Sequence, residues 1–315
     1  MPRRTLVRAD THELAARLAR LATGRLQATF RERAPSLAPE LTAWTRELAG
    51  ARPAHRYFLT RAGYPILELP LAVASSVAPA RAPVFERDLT YSTVCGYYCM
   101  RLIDDALDGD LAPTSTHLLW QTLLGSEFQA VYARHLSEYP AFWKFFSATW
   151  FECLECTRVD SRLLDIDFAT FASTCAKKTL AAKIPVRATL DYYGAARQSR
   201  AWLELCDALA RFVQMADDVM DWPVDLRQGS PSYFLAEARR RRRRRESTAQ
   251  WVAREGLAWG VEECRVFLAD IDARARRLES HSLLLLLHGR RTEFEKRVTR
   301  MERLLGEVTP LARHF

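Results

Sequence analysis

Two acidic clusters carry the chemistry this chain could perform. The first is Asp104, Asp105 and Asp108 in RLIDDALDGD; the second is Asp217, Asp218 and Asp221, followed by Asp225, in FVQMADDVMDWPVD. Each reads D-D-x-x-D inside an apolar stretch. On a helix, Asp104 and Asp108 fall one turn apart on one face, as do Asp217, Asp221 and Asp225. Close carboxylates repel, and burial beside Leu, Met and Phe disfavours their ionisation, so such ladders are costly unless a cation lies between them. Magnesium suits the position: it keeps several waters, takes one or two carboxylates and completes its octahedron with phosphate oxygens. Two facing ladders predict a diphosphate clamp, whereas two separate ones would be ordinary acidic helix ends.

Cleaving an allylic diphosphate leaves a carbocation and a leaving group of about three negative charges, which metal ions can neutralise as the charge develops. Direct cationic donors are also needed. Candidates are Arg101, Lys177 or Lys178 in CAKKTLAAK, and Arg227 after the second cluster. Arg101 could equally serve as an intrahelical partner of Asp104 or Asp105. A carbocation must be shielded from water by an apolar, aromatic pocket. Tyr91 and Tyr98, seven residues apart, and Trp143, Phe146, Trp150 and Phe151 are candidates to line it, or else plain core.

The elements that must hold these residues are helical. A start is legible at Asp10, with Glu13 three residues on and Leu14, Leu18 and Leu21 at helical spacing. Segments 31–39 and 51–65, rich in Pro and Gly, read as connections with helices between them. Further helical patterns cover residues 84–108, 116–137, 141–159, 167–193, 199–222, 248–280 and 283–305, and no sustained period-two alternation marks a sheet. The fold class is all-α, with residues 1–315 as one domain.

Composition narrows the partners. With 315 residues and 49% hydrophobic content a sizeable core can form. No apolar run is long enough to span a bilayer and no secretory signal is legible, so a cytoplasmic protein is expected. The aliphatic run from Leu283 to Leu287 reads as a buried helix segment. Seven scattered cysteines point to reduced thiols, and Cys153 with Cys156 lacks the second pair or His that zinc would need. The net charge of +8 is local, because removing the seven arginines from Arg239 to Arg245 leaves +1. That run, with its flanks (239–247), reads as a mobile loop. Contact with an anionic membrane surface is the other reading, and nucleic acid is not expected as a partner. His12-Glu13 has Ala16 where a metalloprotease needs its second His; Glu-x-x-His, a phosphate loop and a nucleophile elbow are all absent.

These residues resemble the class I isoprenoid enzymes, specifically the trans-isoprenyl diphosphate synthases and the related class I terpene synthases. FVQMADDVMDWPVDLRQG is similar to the family's F-Q-x-x-D-D-x-x-D, with Gln214 three residues before Asp217 and Gly229 after it. Lys178-Thr179 followed by Gly194 resembles the K-T segment upstream of the second cluster. The resemblance spans roughly residues 91–234. It implies an α-bundle, three Mg²⁺ ions held by Asp104, Asp105, Asp108, Asp217, Asp218 and Asp221, and a prenyl diphosphate contacted by Arg101, Lys178, Gln214 and Arg227, with Tyr98, Cys99 and Met100 along the chain. It is compatible with a homodimer.

The departures bear on the reaction. The arginine pair that follows the first cluster in elongating synthases is missing from GDLAPTSTHLL, and so is their G-K-R-x-R-P-like segment near the N-terminus; Arg52 and Arg61 are poor stand-ins. The expected function is a Mg²⁺-dependent terpene synthase that converts one prenyl diphosphate to a hydrocarbon or alcohol. The alternatives are a trans-prenyl diphosphate synthase using isopentenyl diphosphate and a non-catalytic partner subunit. DLRQGSPSYFL also resembles the second motif of squalene and phytoene synthases. By the same resemblance, non-aromatic Gly96, Cys99 and Met100 before the first cluster imply a deep pocket and a substrate of C15 or longer.

Overall fold

A computed structural model describes residues 11–50, 52–78 and 80–308, the last four by backbone alone. Among the described residues there are helices and no strands. The helices are α1 (Thr11–Arg33), α2 (Ala38–Leu48), α3 (Ala54–Tyr57), α4 (Glu68–Val77), α5 (Pro83–Asp108), α6 (Ser115–Leu136), α7 (Pro140–Asp160), α8 (Phe168–Ser173), α9 (Lys183–Tyr192), α10 (Ser199–Gln228), α11 (Tyr233–Arg241), α12 (Thr248–Trp251), α13 (Leu257–Arg277) and α14 (His281–Val308). The helix start read at Asp10 lies outside the described residues.

Local chemistry explains the boundaries. Pro83 and Pro140 open α5 and α7, where a missing N–H costs nothing and the fixed φ favours the helix. Thr114 and His117 form a capping box at α6, and Ser232 caps α11 through the Leu235 N–H. The two helices that carry the aspartates end alike. Gly109 (φ 82°) closes α5 just after Asp108, and Gly229 (φ 72°) closes α10, both in the left-handed conformation that glycine adopts without steric cost.

Four expectations require correction. The helix expected over 167–193 is broken into α8, a 3₁₀ stretch Cys175–Ala182, and α9. The helix expected to stop at Trp222 continues through Pro223 to Gln228. The arginine run is not all loop, since Arg239, Arg240 and Arg241 form the last turn of α11. The 283–287 stretch is also only half buried: Leu283 and Leu287 face the core while Leu284 and Leu285 are exposed.

The core has two halves. One is built around α5 with α1, α2, α6 and α7; the other around α10 with α11, α13 and α14. Helix α9 joins them, with Ile184 and Ala188 in the first and Val186 and Leu190 in the second. All seven cysteines are free thiols, and six are buried. Close packing of α5 on α6 depends on Gly96, where an added Cβ would lie 2.6 Å from the Phe128 ring. Gly96→Ala should therefore destabilise the fold by about 1–3 kcal/mol. Phe128→Leu in the same chain should recover part of that loss, measured by chemical denaturation.

Candidate active site

The ends of α5 and α10 face one cavity of about 390 Å³, lined by Asp104 from the first ladder and Asp217 from the second. Arg101, Lys178 and Gln214 line it as well, with Arg101 and Lys178 both beside Asp104. Tyr57, Phe58, Ile66, Tyr97, Met100, Phe128, Trp150 and Val213 supply apolar and aromatic surface elsewhere.

At the first ladder, Arg101 Nη2 lies 2.6 Å from Asp105 Oδ1, and Nη1 lies 3.9 Å from Asp104 Oδ2. Arg101 is thus both an intrahelical partner of the ladder and part of the cavity wall. Lys178 Nζ sits 3.4 Å from Asp104 Oδ1 and 2.9 Å from Asp160 Oδ2. Burial opposes its charge, but Asp104 and Asp160 outweigh burial and raise its pKa above the ordinary value. The tight 3₁₀ winding separates the neighbouring lysines: Lys177 turns outward to Glu152 at 2.6 Å while Lys178 enters the cavity. Burial raises the pKa of Asp105 against the pull of Arg101, and that of Asp108 against the pull of Lys178.

At the second ladder the three aspartates have different surroundings. Asp218 is buried, and both its oxygens are engaged: Oδ1 accepts from Gln214 Nε2 at 2.8 Å and Oδ2 from the Tyr233 N–H at 2.9 Å. It ties α10 to the first turn of α11. Burial, against these two donors, pushes its carboxyl up to about 7. Asp217 and Asp221 instead flank Arg297 of α14, whose Nη1 and Nη2 are each 3.8 Å from one of their oxygens. Burial also raises Asp217, to about 7, although 45% of its side chain stays open to water, which screens it. Asp225 is raised to about 6 by burial and by repulsion from Asp221.

The likeness to known structures agrees with this architecture. A geranylgeranyl pyrophosphate synthase from Corynebacterium glutamicum superposes with a TM-score of 0.69 at 17% identity, over 91% of this chain and 94% of that one. The chain has an isoprenyl diphosphate synthase fold. T. brucei FPPS is a looser likeness, with a TM-score of 0.49 and 15% identity over 94% of this chain and 99% of that one. No protein-family model and no curated protein matches.

Within this fold, the expected residues divide. Asp104, Arg101, Lys178, Gln214, Met100 and Asp217 line the cavity; Asp105, Asp108, Asp218, Asp221, Tyr98, Cys99 and Arg227 do not. Tyr98 packs in the core beside Trp44 and Phe58, Cys99 turns toward the Gln121 carbonyl of α6, and Arg227 is exposed at the end of α10. A one-residue step decides the tyrosines, because Tyr97 reaches the cavity and the Tyr57 hydroxyl at 2.7 Å. Of the other aromatic candidates only Trp150 lines the cavity. Tyr91 binds Glu127, Trp143 donates to the Leu136 carbonyl, Phe146 packs on Phe128 and Phe151 is exposed. The wall at Gly96 is aromatic after all: Phe128 of α6 covers it, with Trp150 behind at 5.1 Å between ring centroids.

Sequence reading missed Asp160, Arg297 and Arg290. Arg290 is buried against Glu68 at 3.1 Å and donates to the carbonyls of Arg61 and Gly63, holding the segment whose Gly63 and Tyr64 wall the cavity. Among the described residues, no cationic side chain of this segment lines the cavity. Arg52 is exposed, and Arg61 rests against Gly289. Asp160, Arg290 and Arg297 belong to no D-D-x-x-D pattern, so only long-range packing identifies them.

The donor set suits a hard divalent cation. It offers oxygens only, and Asp104 Oδ1 is buried without a hydrogen bond. Among the described residues no three acidic, His or Cys side chains converge closely enough to hold an ion alone. Water or phosphate oxygens would have to complete the shell, as magnesium prefers.

Two outcomes follow. Asp218 holds its proton in the folded state up to about pH 7, against 3.8 ordinarily, so its stabilising contribution is complete below about pH 4 and lost as pH rises through 7. Metal-free protein should melt at higher temperature at pH 6 than at pH 8, and Asp218→Asn should narrow that gap. Arg297→Gln should lower the melting temperature in EDTA yet increase the gain on adding Mg²⁺, because the bare Asp217–Asp221 pair then has only the metal to offset its repulsion.

Proposed function

We propose that the chain is an enzyme that binds a prenyl diphosphate in this cavity and ionises it. The observation that carries the reading is that one aspartate from each cluster, Asp104 and Asp217, lines a single cavity whose remaining wall is mostly apolar and aromatic. Asp104 and Asp108 of α5, with Asp217 and Asp221 of α10, are the residues we assign to Mg²⁺. Bound there, the metal would offset the negative charge that develops on the departing diphosphate. Asp218 has another task, since its Oδ2, accepting from the Tyr233 N–H, ties α10 to the start of α11.

Lys178 and Arg101 are placed to donate to the diphosphate oxygens. Each must first exchange a carboxylate partner for phosphate, and Asp160 keeps the Lys178 ammonium in position during that exchange. The prenyl chain would lie along Tyr97, Met100, Phe128 and Trp150, which exclude water from the cation. Rings facing a passing positive charge also stabilise it.

Two finer readings remain distinct. A fold shared with a geranylgeranyl pyrophosphate synthase supports the trans-prenyl transferase, which condenses an allylic with an isopentenyl diphosphate. This support stands ahead of the terpene-synthase expectation. One specific observation favours a single-substrate reaction: Arg101 and Lys178, the cations that line the cavity, both stand at its aspartate end. Along the wall of Thr60, Gly63 and Tyr64 the neighbouring cation is Arg290, which is already paired with Glu68 and does not line the cavity.

The test is incubation with Mg²⁺ and geranyl, farnesyl, geranylgeranyl or geranylfarnesyl diphosphate, each with and without isopentenyl diphosphate, read by mass spectrometry before and after phosphatase. Longer prenyl alcohols that need isopentenyl diphosphate and phosphatase identify the transferase; a hydrocarbon or alcohol formed without either identifies the terpene synthase. Asp104→Ala and Asp217→Ala should each lower turnover by about 100-fold or more while circular dichroism is unchanged. Full activity in either variant would remove the clamp, and silence with every substrate would favour a partner subunit.

A further inference from the structure

The surface shared by the α7–α8 turn and the end of α11 is not an ordinary solvated face. Leu164 is 88% exposed and Phe168 50%, and both project from this turn. The arginine run grips the backbone beneath them. Arg239 Nη2 donates to the Leu164 carbonyl at 3.2 Å, Arg240 Nη1 donates to the Ile166 carbonyl at 2.9 Å, and both pair with Asp165. Arg241 is fixed by Glu237 and stands over the Trp259 ring at 4.3 Å. Asp165 and Glu237 thus answer the first three arginines, while Arg242, Arg243, Arg244 and Arg245 are exposed beyond them.

We infer that this face seats the protein on an anionic membrane surface, with Leu164 and Phe168 entering the boundary between headgroups and acyl chains while the arginines lie among lipid phosphates. A single exposed leucine needs no explanation. An aliphatic and an aromatic side chain held outward by two arginines, beside four more, match both halves of a lipid interface. Nucleic acid would satisfy the arginines, but Leu164 would gain nothing from a phosphate backbone.

The position agrees with the site. Helix α11 begins at Tyr233, whose N–H donates to Asp218, and ends eight residues later at Arg241, about 12 Å away. If the cavity takes a prenyl diphosphate, as proposed above, the seat brings it close to the bilayer in which such amphiphiles dissolve. That clause alone rests on the functional reading, because vesicle binding requires no turnover.

The experiment is co-sedimentation of the full chain with vesicles of phosphatidylcholine alone or mixed with phosphatidylglycerol. The protein should sediment only with the mixed vesicles, and salt should weaken the association. Leu164→Glu combined with Phe168→Glu should reduce binding about tenfold or more; if Phe168→Glu does not fold, Leu164→Glu alone should still reduce it severalfold. Replacing Arg242 to Arg245 by Gln should abolish it. Binding unaffected by the glutamates would overturn the proposal, as would no binding to mixed vesicles, or tighter retention on duplex DNA than on vesicles.

Discussion

The structure is organised around negative charge held at the mouth of an apolar cavity. The carboxylates at the ends of α5 and α10 cannot all ionise beside buried Leu, Met and Phe without counter-charge, and the chain supplies just enough to fold. Arg101 and Lys178 serve the first ladder, and Arg297 serves the second. Each lies close enough to hold its pair in place, and Asp217, Asp218 and Asp225 still keep raised pKa values. A site left in this condition has free energy to gain from a divalent cation and a polyanion arriving together.

The surrounding helices serve that constraint. Gly109 and Gly229 end the two ladder helices in the same left-handed turn, so the last carboxylates lie at the rim rather than deep in the bundle. Cys153 donates to the Lys178 carbonyl, and Asp160 at the end of the same helix holds the Lys178 ammonium. Helix α7 therefore fixes both ends of this lysine. At the second ladder, Asp218 forgoes a place facing the cavity and organises α11. The D-D-x-x-D string thus contains two kinds of aspartate, told apart by what surrounds them.

Most of the helices were legible because their apolar spacing, prolines and caps are local signals. The errors have physical causes. Residues 167–193 lack an internal proline until Pro185 and read as continuous, but their tight 3₁₀ stretch exists to turn Lys178 inward between α7 and α10. Pro223 looked like a stop and was absorbed near the exposed end of α10, where one missing N–H is tolerated. The arginine run reads as a mobile loop, yet Glu237 one turn earlier and Asp165 across the gap answer three of its arginines and let them extend α11.

By itself, the sequence determined the all-α class, the two D-D-x-x-D clusters and thiols without disulfide partners, since each follows from residue type and local spacing. Only the tertiary structure decided that Asp104 and Asp217 line one cavity, that Tyr97 rather than Tyr98 lines it, that Phe128 covers Gly96, and that Arg297 stands between Asp217 and Asp221. These depend on which helices meet, and at what rotation, over separations of about 30 to 110 residues. Periodicity records which face of a helix is apolar; it does not record which helix that face will meet.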